Sequence, residues 1–382
     1  MRELARIVRI DGIRPIEGAD AIEAAQVGGW TVVIKKGEFV PGDRAVYLEI
    51  DSFLPEGNPA WQFLIDKSAR IFNGVNGHVL RTVRLRGQCS QGLLLSLDAV
   101  AAGLALDDVP DGLASSDALT QSRMVLQGMP IGWNLTDALG VQKYEPPIPA
   151  EIAGEVRGLF PSRVPKTDQE RIQNLAAEIQ GWLDRGLTWE VTEKLEGSSV
   201  TWAWLDEDLH VCSRNLDLRE SESNTLWRLA QEHDIARKIK DFVGKGNLAL
   251  QGEIVGTGVQ GNIYKLSGQR FYLYDVYDVD QGRYLCANER SAVAQALGLN
   301  HVPVLHLGFS LADLMPVSAP TSSSGGADAS SVETIMQGLL RMADGESALK
   351  PGQLREGLVF KAIQENISFK VISNKYLLKQ KD

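Results

Sequence analysis

The chain has 382 residues, 44% of them hydrophobic and 23% charged, with a formal net charge of −10. That length gives room for two or three domains with their own cores, and the composition is that of a folded chain rather than a disordered one. The acidic balance excludes a histone-like polycation, so any contact with nucleic acid must come from local lysine and arginine patches. Three separated cysteines, Cys89, Cys212 and Cys286, form no C-x-x-C pair. This argues against a disulfide framework or a zinc cluster and fits a reducing compartment. Met1 to Arg6 holds no apolar leader, and no apolar run approaches membrane-spanning length. A cytoplasmic, soluble protein with no membrane partner is expected.

The first part reads as short strands. Ala5–Ile10 alternates, and Ala21–Val27 and Trp30–Ile34 flank a Gly28-Gly29 turn. Asp43–Ile50, Val79–Leu85 and Gly92–Leu97 follow, with a short helix expected over Ala60–Phe72. Strands at this spacing suggest a small antiparallel barrel, and their order is compatible with an OB-fold, a common binder of nucleic acid. Arg81, Arg84 and Arg86 lie near one strand, with Arg84 and Arg86 on one face at period two. They either grip a phosphate backbone or keep an edge strand soluble.

Leu97–Gly140 has no strong period. Glu145-Pro146-Pro147-Ile148-Pro149 reads as an extended linker. The expected division is residues 1–135 for the OB-like module and 136–382 for a second domain. In that domain Thr167-Asp168-Gln169-Glu170 has the form of a capping box, predicting a helix with Ile172, Leu175, Ile179, Trp182 and Leu183 on its apolar face, closed by Gly186. Trp189 to Thr201 reads as strand, turn, strand around Gly197-Ser198, with Lys194 at the mouth of the turn. Leu209–Ser213 is a strand, Ser223–Val243 an amphipathic helix, and Leu248–Val255 a strand with Glu253 inside an apolar run. Such a glutamate is costly unless paired or bound to metal. Phe271–Val276, Arg355–Lys361 and Ser368–Ser373 are further strands, and Met315–Ser331 is a low-complexity loop. The fold class is therefore α+β, a β-barrel module followed by antiparallel sheets flanked by helices.

Two signals lead nowhere. Gly256-Thr257-Gly258-Val259-Gln260-Gly261 matches G-x-G-x-x-G, but only Asn262–Arg270 separates it from the next strand, too little for the helix a dinucleotide site requires. The five histidines are scattered without ligand spacing. What remains is an ordered set of strand-borne groups. It comprises Lys194-x-x-Gly197, Ser213-Arg214-Asn215, Glu253, Tyr274-Asp275, Glu356-Gly357-x-x-x-Lys361 and Lys370. In this order the set resembles the covalent nucleotidyltransferase superfamily of polynucleotide ligases and capping enzymes, over most of residues 160–382. Phe160-Pro161, Lys166-Thr167-Asp168 and Arg171-Ile172-Gln173-Asn174, with the N-terminal module, look like the Deinococcus-type RNA ligases. One departure is Glu196, where many members carry aspartate. It keeps the carboxylate on a longer stem.

The resemblance implies an ATP-dependent RNA ligase. Lys194 is the nucleophile that accepts AMP, and burial and nearby cations are expected to lower its pKa. Lys370 and Lys361 would contact the α-phosphate, and Arg214 phosphate or ribose. Glu253 and Glu356 would hold Mg2+ or Mn2+ mostly through its waters, and Glu196 the ribose or the same waters. Tyr274, or else Phe271 or Tyr272, would stack on adenine, with Glu193 at the adenine edge. The implied partner is a nicked duplex with an RNA 3′-OH strand, sealed by a monomer with help from the N-terminal module. The alternatives are a capping-type guanylyltransferase, for which the chain leaves no room for an OB domain after Lys370, and a non-enzymatic OB-fold protein, which leaves the ordered set unexplained. An NAD-using ligase would need a nicotinamide module that is not evident.

Overall fold

Short strands with apolar side chains at alternate positions build the first of two units, residues 1–147, and the second unit spans 148–382. The computed structural model describes residues 3–104, 118–144, 155–315 and 329–379. In the first unit Arg44–Leu48 pairs antiparallel with both Ala5–Arg9 and Leu93–Ser96. Ile22–Val27 and Trp30–Lys35 form the expected hairpin, closed where Gly28 adopts a φ of 54°. Trp30, Val32, Ile34 and Tyr47 fill one core, and Leu54, Trp61, Val100 and Leu126 another.

The unit departs from expectation in three places. Only Gln62–Ile65 of the predicted Ala60–Phe72 helix is helical. Arg70–Phe72 is drawn into a hairpin with Val75–Val79 because Asn73 and Gly74, with φ of 51° and 78°, make a two-residue turn. The predicted Val79–Leu85 strand is likewise split, and Val83–Leu85 pairs with Gln88–Ser90. Arg86 then lies in the turn at φ 48° rather than on a strand face with Arg84, although Arg81, Arg84 and Arg86 are all exposed. Finally, Leu135, Leu139 and Val141 are buried in the second core, and Gln142–Lys143 pairs with Ser52–Phe53, so this unit runs past residue 135. The proline linker lies outside the described residues.

The second unit is two sheets with helices on their outer faces. One sheet has the order Val156–Leu159, Leu216–Leu218, Asp208–Cys212, Ser198–Leu205, Leu248–Gly256, Gln269–Asp278, Arg283–Tyr284. The other runs Glu170–Arg171, Ser368–Ile372, Gly357–Ala362, Thr188–Lys194, Val304–Ser310. Period-two alternation decides what each face carries. Trp189, Val191, Leu358, Phe360, Phe369 and Val371 point to a core covered by the helices Ile179–Asp184 and Ala329–Ala343. Val200, Trp202, Leu250, Phe271 and Leu273 point outward from the other sheet onto the helices Thr225–Glu232, Ile235–Val243 and Ala287–Leu297. The remaining faces carry the polar side chains.

The predicted Ser223–Val243 helix is two helices, because Asp234 takes a left-handed φ of 52° between them. The capping box at Thr167 does not form. Glu170–Arg171 is a short strand parallel to Ser368–Ile372, and the helical turns begin only at Ile172. The Thr167 hydroxyl is used elsewhere, against Tyr274. Residues 256–261 form a turn whose chain re-enters the sheet at Gln269 with no helix between, as their spacing predicts. Phe369 stacks on Trp182 at 5.3 Å and on Phe360 at 4.8 Å, and meets Trp189 edge-on at 4.9 Å. Phe369→Ala should cost about 3–5 kcal/mol, read as a lower urea midpoint, because it empties the centre of the layer on which the strand bearing Lys370 rests.

Candidate active site

On the polar face of the five-stranded sheet three rows follow from the register. Lys194 is paired with Gly357, Thr192 with Val359 and Glu190 with Lys361. On the next strand Lys370 pairs with Val359, and Arg171 pairs with Lys370 in turn. The facing sheet presents Ser199, Glu253 and Tyr272 in one row, and Thr201, Gln251 and Asp275 in the next. A register shift between Gln251 and Gly252 places Tyr274 as an extra residue between those rows.

The lysine strand ends in a turn that must approach its neighbour closely. A Cβ on Gly197 would lie 2.2 Å from the Ile254 carbonyl oxygen, so only glycine fits. Gly197 packs against the Glu253 side chain, which an added Cβ would meet at 2.8 Å, and the Glu196 amide donates to the Tyr264 hydroxyl at 2.7 Å. The turn is thereby tied to the facing sheet with Lys194 between.

Lys194 Nζ donates to Glu356 Oε1 at 2.7 Å, and Glu253 also acts on its charge. Burial pulls the lysine pKa down, but Glu356 and Glu253 outweigh it and the net shift is upward. The expectation that its surroundings depress this pKa therefore fails for the protein's own groups, since the carboxylates lie nearer than the cations. The carboxyls carry the matching strain. Burial, reinforced by the charge of Glu356, pushes Glu253 up to about 8 against the pull of Lys194 and Arg214. Burial also raises Glu196, with Glu356 adding and Tyr376 opposing. One Glu196 carboxylate oxygen, Oε2, is buried without a partner. Crowded carboxyls beside one ammonium fit a divalent cation. Among the described residues no three His, Cys, Asp or Glu groups converge closely enough to ligate one directly. The arrangement suits an ion held through its waters, as magnesium commonly is.

Lys370 is buried, and its pKa falls to about 8 through burial first, then through Arg171 and Lys194, while Asp168 works the other way. Lys370 Nζ donates to Asp168 Oδ1 at 3.1 Å, and Arg214 Nη2 lies 3.5 Å from Asp168 Oδ2. Lys361 is not beside Lys194. It stands four residues along the strand, roughly 13 Å away, and donates to the Asp275 carboxylate and the Tyr274 carbonyl, each at 2.6 Å. Asp275, Arg290 and Glu190 continue this as a buried ionic chain, with Arg290 bonded to Glu190 and, at 3.0 Å, to His301. Beside this chain opens a cavity of about 330 Å³, lined by Asp168, Lys361, Asp275 and Arg290 but not by Lys194.

Among the aromatic candidates, Phe271 is fully buried and stacked on Trp202 at 4.1 Å, on the outer face. Tyr272 and Tyr274 face inward with Leu195, Val255 and Tyr264. Glu193 is buried, takes the Ala348 amide on its side chain at 2.7 Å, and donates its own amide to Pro303. The sequence gives Asp168, Thr167, Arg171 and Asp275 no role in the site, although all four fall in segments that carry the resemblance. The capping-box pattern gave Thr167 a local use that hid its distant one.

A family model described as an OB-fold domain matches residues 4–97, and one described as RNA ligase matches residues 187–377. No curated protein sequence matches the chain. Among solved structures, a mutant Naegleria gruberi RNA ligase with ATP and Mn is 40% identical, with a TM-score of 0.79 over 100% of both chains. Naegleria gruberi RNA ligase with PPi is also 40% identical, with a TM-score of 0.78 over 99% of this chain and 98% of that one. With its lysine, its glutamates and its second lysine collected in one cleft, the chain belongs to the RNA ligase family.

Proposed function

We propose that this chain is an ATP-dependent RNA ligase of the Deinococcus type. It seals 3′-OH/5′-phosphate nicks in duplexes whose 3′-OH strand is RNA, through a lysyl–AMP and then an adenylylated 5′ end. The observation that carries the reading is Lys194, held in the cleft between Glu356 and Glu253 with Lys370 one row away. The bound nucleotides and Mn of the Naegleria structures support ATP as the AMP donor and a divalent cation as its companion.

The lysine must lose a proton before it can attack the α-phosphorus. Glu356 Oε1, 2.7 Å away, is the nearest acceptor. Glu253 and Glu356, with Glu196, would hold the divalent cation, mostly through its waters. It would supply charge that offsets the triphosphate and favours the neutral amine. Lys370 and Arg214 meet the phosphates, where charge builds during an in-line displacement. Tyr274, with Tyr272 beside it, provides the aromatic wall for adenine, and Glu193 fixes its edge. Lys361 serves this wall rather than the phosphate. By holding Asp275 and the Tyr274 carbonyl it pins the residue that stacks. Phe271 has no part. The exposed arginines of the N-terminal unit help to hold the nicked strand. The enzyme acts as a monomer in the cytoplasm, and its domains divide as the two compact units do.

Lys194→Ala abolishes transfer of label from α-labelled ATP to the protein, and a variant that still carried label would remove Lys194 from its role. Glu253→Ala and Glu356→Ala each lower metal-dependent sealing by roughly a hundredfold or more, measured on nicked duplexes with single ribose-for-deoxyribose exchanges in the 3′-OH strand. Only substrates with ribose at the 3′-OH end should be sealed efficiently. Lys370 is charged below about pH 8 and loses its proton above it. Lysyl–AMP formation should therefore decline as pH rises through that value. In Lys370→Arg the decline should vanish, because a guanidinium stays charged.

A further inference from the structure

Four consecutive residues, Pro165 to Asp168, each contact a wall of the cleft. The Pro165 carbonyl accepts from Gln251 Nε2 at 2.8 Å, two residues from Glu253. Lys166 Nζ donates to Asn215 Oδ1 at 2.8 Å, next to Arg214. Thr167 Oγ1 and Tyr274 Oη are 2.9 Å apart, and the same Tyr274 hydroxyl lies 3.1 Å from Ser199 Oγ. Asp168 sets one carboxylate oxygen against Lys370 and the other against Arg214. Gln251 lies within the strand Leu248–Gly256, and Arg214 and Asn215 in the turn between Asp208–Cys212 and Leu216–Leu218 of the same sheet, while Lys370 belongs to the other. The segment is thus a strap joining both walls of the cleft, and it occupies the place where the sequence predicted a helix start.

We propose that Asp168 is a positioning residue for nucleotidyl transfer: through its two oxygens the strap sets the distance and orientation of Lys370 and Arg214, two cations carried by different sheets, before phosphate arrives. This rests on the ligase reading above. The physical case is that two like charges on separate sheets repel, and a carboxylate set between them offsets that repulsion and fixes their spacing. A carboxylate with two oxygens can serve both at once. Asp168 is 40% exposed at its side chain. It therefore costs little to hold in water and can be altered without emptying a core. Thr167 extends the same logic to the aromatic wall. A neighbouring residue of one strap fixes the hydroxyl of Tyr274, so the phosphate-facing cations and the adenine-facing ring are set by one short piece of chain.

The test uses the full chain with Asp168→Asn, Asp168→Glu and Thr167→Val, following lysyl–AMP formation against ATP concentration and pH. The groups that act on Lys370 are Asp168, Arg171 and Lys194, of which only Asp168 favours its charged form. In Asp168→Asn the alkaline decline should move down by about one pH unit. The rate at saturating ATP should fall about tenfold, the scale of one lost charge-assisted bond, while KM for ATP changes far less. Asp168→Glu should recover part of that rate. Thr167→Val should instead raise KM, since it loosens only the adenine wall. An unmoved alkaline decline in Asp168→Asn overturns the proposal, as does a drop in KM, which would mean that Asp168 competes with ATP for the two cations. If the wild-type chain forms no lysyl–AMP, the ligase reading itself is what fails.

Discussion

A buried ammonium has to be matched by carboxylates, and a buried carboxylate by cations. The second unit is arranged to satisfy both demands in one place. Lys194 lies against Glu356 and near Glu253, and the price is visible in both directions, since the lysine is held charged and Glu253 is held partly neutral. Ammonium and carboxylates are held as a mutual neutralisation, an ion pair between Lys194 and Glu356 at 2.7 Å with Glu253 acting on both. On the proposed ligase reading, a cation and a nucleotide would take over that neutralisation and leave the amine free of its carboxylates.

That arrangement depends on alternation along six strands. Each strand gives its apolar positions to an outer layer covered by helices, so its polar positions have no choice but to face the other sheet. The stack of Trp182, Phe369, Phe360 and Trp189 therefore does more than stabilise the fold. It fixes the register in which Lys194, Val359 and Lys370 stand in adjacent rows. A slip of one residue would exchange Lys370 with Phe369 and empty the cleft of a cation.

Much of this was readable from residue types. The strands bearing Lys194, Glu253, Tyr274, Glu356 and Lys370 declare themselves by alternation, and the lysine hairpin by Gly197. What the sequence hid was long-range competition for polar groups. Thr167 and Glu170 have the spacing of a helix cap, a local solution, yet the threonine hydroxyl finds Tyr274, 107 positions away in sequence. Lys361 has the spacing of a phosphate ligand, yet Asp275 lies across from it on the facing sheet. The charges of Glu356 and Glu253 on Lys194 outweigh that of Arg171. These surprises share one cause: spacing along a strand shows which face a side chain is on, not what the opposite sheet sets against it.

The same point separates the two lysines that flank the cleft. Lys361 and Lys370 lie on adjacent strands and are both largely buried, with 15% and 14% of their side chains exposed. Lys361 meets Asp275, itself buried and linked onward to Arg290 and Glu190, so its charge is consumed within the protein. Lys370 meets the half-exposed Asp168, which it shares with Arg214. Equal burial with unequal partners ties one lysine into a closed buried chain and sets the other against a carboxylate at the solvent edge. It is the partner, not the depth of the lysine, that distinguishes them.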